Sequence, residues 1–144
     1  MTTESEQKLK VLFACAGNTC RSVLAEYISR SKFGDILEPA SAGFKPQSAA
    51  DAENAINTLK SFLNIDASGH HPRDIRGVDV NGFDIVVAMD SSIAKQFTAL
   101  FPAFPVERLI KWKIDDPWGD NLMEYERCAQ AIFSALKTLS PTGS

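Results

Sequence analysis

Apolar residues along this chain come in two rhythms, short continuous runs and stretches that recur every three to four positions, and the two alternate. The run Lys10–Cys15 predicts a buried strand. After the loop residues Ala16-Gly17-Asn18-Thr19, the spacing of Val23, Leu24, Tyr27 and Ile28 predicts a helix. Ile36–Ala40 predicts a second strand, closed by Ser41-Ala42-Gly43. Pro39 places it at a sheet edge, because proline supplies no ladder donor. A helix is predicted over Ala50–Leu63, ended by the polar stretch around Gly69-His70-His71-Pro72. Phe83–Met89 reads as another buried strand. It leads through Asp90 and Ser91, both good N-cap residues, into a helix carrying Ile93, Ala94, Phe97 and Leu100. Val106–Trp112 is a weaker fourth strand. The face formed by Leu122, Tyr125, Cys128, Ala129, Ile132, Phe133, Leu136 and Leu139 marks a closing helix, with Asn121 and Glu124 as a capping-box-like start.

Strands alternating with helices predict parallel pairing, right-handed crossovers and a three-layer α/β sandwich whose site lies at the carboxyl ends of the strands. The 144 residues, 44% of them hydrophobic, fit one domain over residues 9–144 behind a frayed tail at 1–8. A domain of this size buries roughly two-thirds of its unfolded surface and needs no disulfide or metal scaffold. The net charge of −3, with no long Lys/Arg run, argues against a nucleic-acid partner. No apolar run approaches the ~20 residues of a membrane span, so no membrane insertion is expected. The polar start MTTESEQK is not a secretory signal, and three cysteines without regular spacing read as reduced thiols in a cytoplasmic protein.

Chemistry concentrates in Cys15-Ala16-Gly17-Asn18-Thr19-Cys20-Arg21-Ser22, between a strand and the first turn of a helix. A cysteine facing a helix N-terminus and an arginine sits where positive potential favours thiolate. Gly17 and Asn18 are residue types that tolerate the left-handed backbone needed to turn successive amides inward. A ring of amides at a helix start is an anion cradle, to which Arg21 can add two parallel hydrogen bonds.

The loop, with Ser41-Ala42-Gly43, Gly69-His70, Ala88-Met89-Asp90 and Asp116-Pro117-Trp118-Gly119, resembles the low-molecular-weight protein tyrosine phosphatases over nearly the whole chain. The resemblance implies a four-stranded parallel sheet flanked by helices and a protein phosphatase acting on phosphotyrosine. It implies Cys15 as the nucleophile, Arg21 on the phosphoryl oxygens, Ser22 donating to the thiolate, and Asp116 as general acid and then base. Neither metal nor cofactor enters that chemistry. Its substrate is a phosphorylated protein or peptide, and a cognate kinase is an implied partner. Asp115 is the rival acid in an Asp-Asp-Pro stretch. Asn18, Ser22, Ser41 and His70 match the family's loop-supporting network, and Cys20 matches a second loop cysteine that in relatives forms a reversible disulfide with the nucleophile. Cys128 reads as a small buried thiol, and His71 as a solvated turn residue.

The chain departs from the family pattern at three places. Val23 stands where a proline usually follows the serine, which should weaken preorganisation only modestly. Trp118-Gly119 replaces a pair of aromatics, often tyrosines, and Trp118 is either a wall of the cleft or a packing residue. Thr19 stands where a bulkier aliphatic residue is common; a branch with threonine removes phosphate from arginine, which leaves phosphotyrosine and phosphoarginine open. Phe44-Lys45-Pro46-Gln47 should form another wall, with Lys45 facing acidic peptides or simply solvated. Two other classes share the loop. Thiol-coupled arsenate reductases resolve their adduct with further cysteines, but Met89-Asp90-Ser91-Ser92 holds none, which leaves only an external-thiol version. Phosphocysteine carriers do not need both Arg21 and an acid such as Asp116.

Overall fold

The computed structural model describes residues 8–117 and 121–139; Trp118 and nearly all of the expected tail at 1–8 lie outside the described residues. Strands β1 (Leu9–Cys15), β2 (Leu37–Gly43), β3 (Ile85–Ala88) and β4 (Leu109–Lys111) form one sheet in the order β2-β1-β3-β4. All three pairings are parallel. Helices α1 (Arg21–Lys32), α2 (Glu53–Leu63), α3 (Ser91–Leu100) and α4 (Leu122–Leu136) connect and close it. β1 is central because it is apolar on both faces. Val11, Phe13 and Cys15 pack with α1, α2 and α4, whereas Leu12 and Ala14 pack with α3. The fold is the expected three-layer α/β sandwich, and β2 with Pro39 is an edge strand.

Element boundaries shift where local chemistry competes. β2 runs on through Ser41-Ala42-Gly43, because these residues keep pairing with Phe13, Ala14 and Cys15. The expected strand Val106–Trp112 shrinks to three residues. Val106–Arg108 form a 3-10 turn after Pro105, with Val106 78% exposed, although Trp112 still donates its amide to Ala88 beyond the strand end. The ladder likewise spills past β3, where the Met89 amide bonds the Ala14 carbonyl. A 3-10 turn at Ala49–Ala52 precedes α2, which ends on Asn64 in the left-handed region. At α4 the Asn121 side chain accepts from the Glu124 amide, but the Glu124 carboxylate pairs with Arg127. One half of the capping box is therefore present.

The topology brings the carboxyl ends of β1 and β3 side by side, so Cys15 and the residues after Ala88 open on one edge of the sheet. α1 starts at Arg21 although Val23 replaces proline, and burial of Val23 and Leu24 holds that first turn.

Candidate active site

The Cys15–Arg21 loop is built around Asn18. Its φ of 56° is left-handed, a conformation asparagine adopts more readily than most residues, and its side chain is fully buried. Asn18 Nδ2 donates to Ser22 Oγ and to Ser41 Oγ, each at 2.9 Å. Ser41 passes its own proton on to Glu26, and Ser22 Oγ lies 2.9 Å from Cys15 Sγ, within hydrogen-bond range of the sulfur. Asn18 Oδ1 accepts from the Arg73 amide, and His70 Nε2 lies 2.9 Å from the Asn18 carbonyl. A carbonyl only accepts, so that ring nitrogen carries a hydrogen. His71 is exposed, as a solvated turn residue would be.

Gly17 differs from expectation. Among the loop's residues the left-handed backbone falls on Asn18, while at Gly17 the space a Cβ would take is filled by the movable end of the Gln47 side chain, its Oε1 2.4 Å from that position. Gly43 on β2 is the position where glycine is required for space, since a Cβ would meet the Ala16 carbonyl oxygen at 2.7 Å and the Asn18 nitrogen at 2.8 Å. The segment 44–47 hangs on the loop through amide bonds from Phe44 to Cys15, Lys45 to Ala16, and Gln47 to Gly17.

Arg21 is 4% exposed and held from two sides. Its NH1 donates to Asp90 Oδ2 at 2.7 Å and to the Ile114 carbonyl at 2.8 Å, and its NH2 lies 3.9 Å from Asp116 Oδ2. Burial works against the guanidinium charge, but Asp90, Cys15 and Asp116 more than offset it. Arg21 Nε is buried with no hydrogen-bond partner among the described residues. Burial raises the Asp90 carboxyl, yet the Arg21 bond and the Ile93 amide bring it below its ordinary value.

Cys15, Arg21, Asp116, Lys45, Gln47 and Thr19 line one cavity of about 320 Å³, with Ala16, Gly17 and Cys20 completing its wall. Asp115 lines only a neighbouring cavity, with Arg127 and Cys128, whereas Asp116 lines both that cavity and the one with Cys15, which distinguishes the two aspartates that the sequence left as rivals. The buried Cys20 Sγ lies 3.3 Å from Tyr125 Oη. Burial pushes its thiol up to about 11, and Cys128, also buried, is pushed up to about 12. The site thus brings a sulfur hydrogen-bonded to a hydroxyl, a fixed guanidinium and a carboxylate around one cavity.

Two contacts carry no signal in the sequence. Asp90 reads as a helix cap and as part of the Ala88-Met89-Asp90 motif, and only the fold makes it the clamp on Arg21; Glu26 reaches Ser41 through tertiary approach. Gln47, expected in the cleft wall, does line the cavity, and its bond to Thr19 is what the fold adds.

The model of the family described as low molecular weight phosphotyrosine protein phosphatase matches residues 10–142. The chain belongs to this family. Among curated relatives it is 31% identical over 139 residues to an arsenate reductase of Bacillus cereus strain Q1, covering 96% of this chain and 98% of that one. It is 32% identical over 140 residues to an arsenate reductase of Bacillus anthracis, with the same coverage. Among solved structures, a low molecular weight protein tyrosine phosphatase from T. tengcongensis superposes with a TM-score of 0.82 at 29% identity, covering 92% of this chain and 97% of that one. An arginine phosphatase from Geobacillus stearothermophilus shares the fold, with a TM-score of 0.81 at 24% identity and coverage of 91% and 90%. The family membership makes this chain an enzyme of the phosphatase and reductase kind. Among the described residues, no helix is long and apolar enough to cross a membrane.

Proposed function

We propose that the protein is a cytoplasmic, cysteine-dependent phosphatase of phosphorylated protein or peptide, with phosphotyrosine as its substrate. The observation that carries this reading is the convergence of Cys15 Sγ, Arg21 and Asp116 on one cavity, with Ser22 Oγ 2.9 Å from the sulfur. In the first step Cys15 Sγ attacks phosphorus, the phosphorus–oxygen bond to tyrosine breaks, and Asp116 gives its proton to the leaving oxygen. In the second, water attacks the phosphocysteine, Asp116 takes the water's proton, and the sulfur leaves as a thiolate stabilised by the Ser22 hydroxyl. Arg21 stabilises the phosphoryl oxygens in both transition states. Its Asp90-held NH1 fixes the guanidinium plane, and the unpartnered Nε supplies a donor for phosphate oxygen.

Phosphoarginine is a second substrate reading, supported by a small hydroxyl-bearing residue, Thr19, on the cavity wall. The arsenate reductase names of the Bacillus relatives point to a third chemistry. It is disfavoured because Cys128, the one cysteine outside the loop, sits on α4, and Met89-Asp90-Ser91 follows β3. The test is inorganic phosphate release from one peptide carrying either phosphotyrosine or phosphoarginine, with Cys15→Ser as the blank. Enzyme-dependent release, reduced at least about 1,000-fold in Cys15→Ser, is the expected result. Release from neither peptide, with arsenate reduced in the presence of a small thiol, overturns the reading; a stable phosphoenzyme without turnover points to a carrier.

A further inference from the structure

Gln47 lies outside the Cys15–Arg21 loop, lines the cavity and hydrogen-bonds the loop residue Thr19 through its side chain, and nothing in the proposed chemistry uses it. Its backbone amide bonds the Gly17 carbonyl at 3.1 Å, and its side chain packs over Gly17 where a Cβ would otherwise stand. Its Oε1 accepts the hydroxyl proton of Thr19 at 2.7 Å. Thr19 is 2% exposed, and both residues line the cavity that holds Cys15.

A threonine hydroxyl has one hydrogen and two lone pairs. With the hydrogen committed to Gln47, Thr19 Oγ1 offers a ligand only lone pairs. We infer that Gln47 sets the leaving-group selectivity of this site by fixing Thr19 as a hydrogen-bond acceptor beside the leaving atom. The inference rests on the phosphatase reading above. A leaving group that carries N–H next to phosphorus, as a phosphorylated guanidinium does, gains a partner there. A phenolic oxygen, which carries no hydrogen in the ester, gains none and meets lone pair against lone pair. The pair Gln47–Thr19 therefore tilts the site from phosphorus–oxygen towards phosphorus–nitrogen substrates. Gln47 acts through Thr19 and is a positioning residue.

The test compares kcat/KM for matched phosphoarginine and phosphotyrosine peptides in the wild type, Gln47→Leu, Thr19→Val and the double variant. Leucine keeps the bulk over Gly17 and removes the acceptor; valine keeps the shape of threonine and removes its hydroxyl. In Gln47→Leu the phosphoarginine-to-phosphotyrosine ratio is expected to fall about tenfold, the scale of one hydrogen bond. On the Thr19→Val background the same change should leave the ratio unmoved. An unchanged ratio in Gln47→Leu, an equal fall without the Thr19 hydroxyl, or no phosphoarginine turnover by the wild type overturns the inference. An aryl phosphate assayed alongside separates these outcomes from failure of the phosphatase reading, because only the latter abolishes its hydrolysis too.

Discussion

Asn18 shows how much of the site one side chain can carry. It bonds two hydroxyls and one backbone amide, so Asn18→Ala removes three hydrogen bonds, takes the acceptor from the Arg73 amide and leaves each of the buried Ser22 and Ser41 hydroxyls with one partner fewer. A loss of about 2–4 kcal/mol is expected from denaturant melts, because unmade buried bonds cost more than made ones gain. Asp90 has two jobs that one substitution separates. Asparagine caps a helix as well as aspartate does, so Asp90→Asn should keep the α3 cap and lower the melting temperature only through the lost Arg21 ion pair, while kcat falls at least about tenfold as Arg21 loses its ionic clamp. The pH dependence follows from the sign of the shift. The Asp90 carboxyl is held below its ordinary value in the folded protein. Its contribution is therefore complete above about pH 4 and is lost as pH falls through the folded value. The stability difference between wild type and Asp90→Asn should stay constant from about pH 5 to 8 and shrink only below about pH 4.

At the scale of elements, the end of β2 decides how closely the sheet approaches the loop. Gly43→Ala would put a methyl group against two backbone atoms of the loop, neither of which is a yielding side-chain tip. Overpacking of this kind costs about 1–3 kcal/mol and moves the loop. We expect a lower melting temperature together with a fall in kcat for aryl phosphates. The element pattern itself was legible, since the period of apolar residues located every strand and helix. What periodicity missed were ends: Val106–Arg108 turn because Pro105 leads them out of the ladder, and β2 continues because Ser41-Ala42-Gly43 find partners on β1. Such ends depend on a neighbouring strand, which one segment's sequence does not contain.

For the whole molecule, surroundings rather than exposure sort three buried, chemically identical side chains into two kinds. Cys20 and Cys128 lie in the core on the α1–α4 side, and burial pushes their thiols up to about 11 and about 12, so both are neutral at pH 7. Cys15 shares the cavity wall with Cys20, but it alone of the three has the Ser22 hydroxyl against its sulfur, with Arg21 on the same wall. Iodoacetate at pH 7 should therefore alkylate Cys15 first, read by peptide mass, and the other two thiols should react only on unfolding.

The sequence alone determined the α/β alternation, the edge position of β2, and the loop whose cysteine, arginine and serine share one turn. These features are local, and spacing along the chain fixes which side chains lie together. Tertiary structure decided what lies far apart in sequence: Asp90 rather than water on Arg21, Asp116 rather than Asp115 at the cavity, and Gln47 rather than solvent on Thr19. Each of these choices depends on how the carboxyl ends of β1 and β3 meet the segments that follow β2 and β4. That meeting is set by packing of the whole sheet, because no local spacing encodes the distance between residues dozens of positions apart.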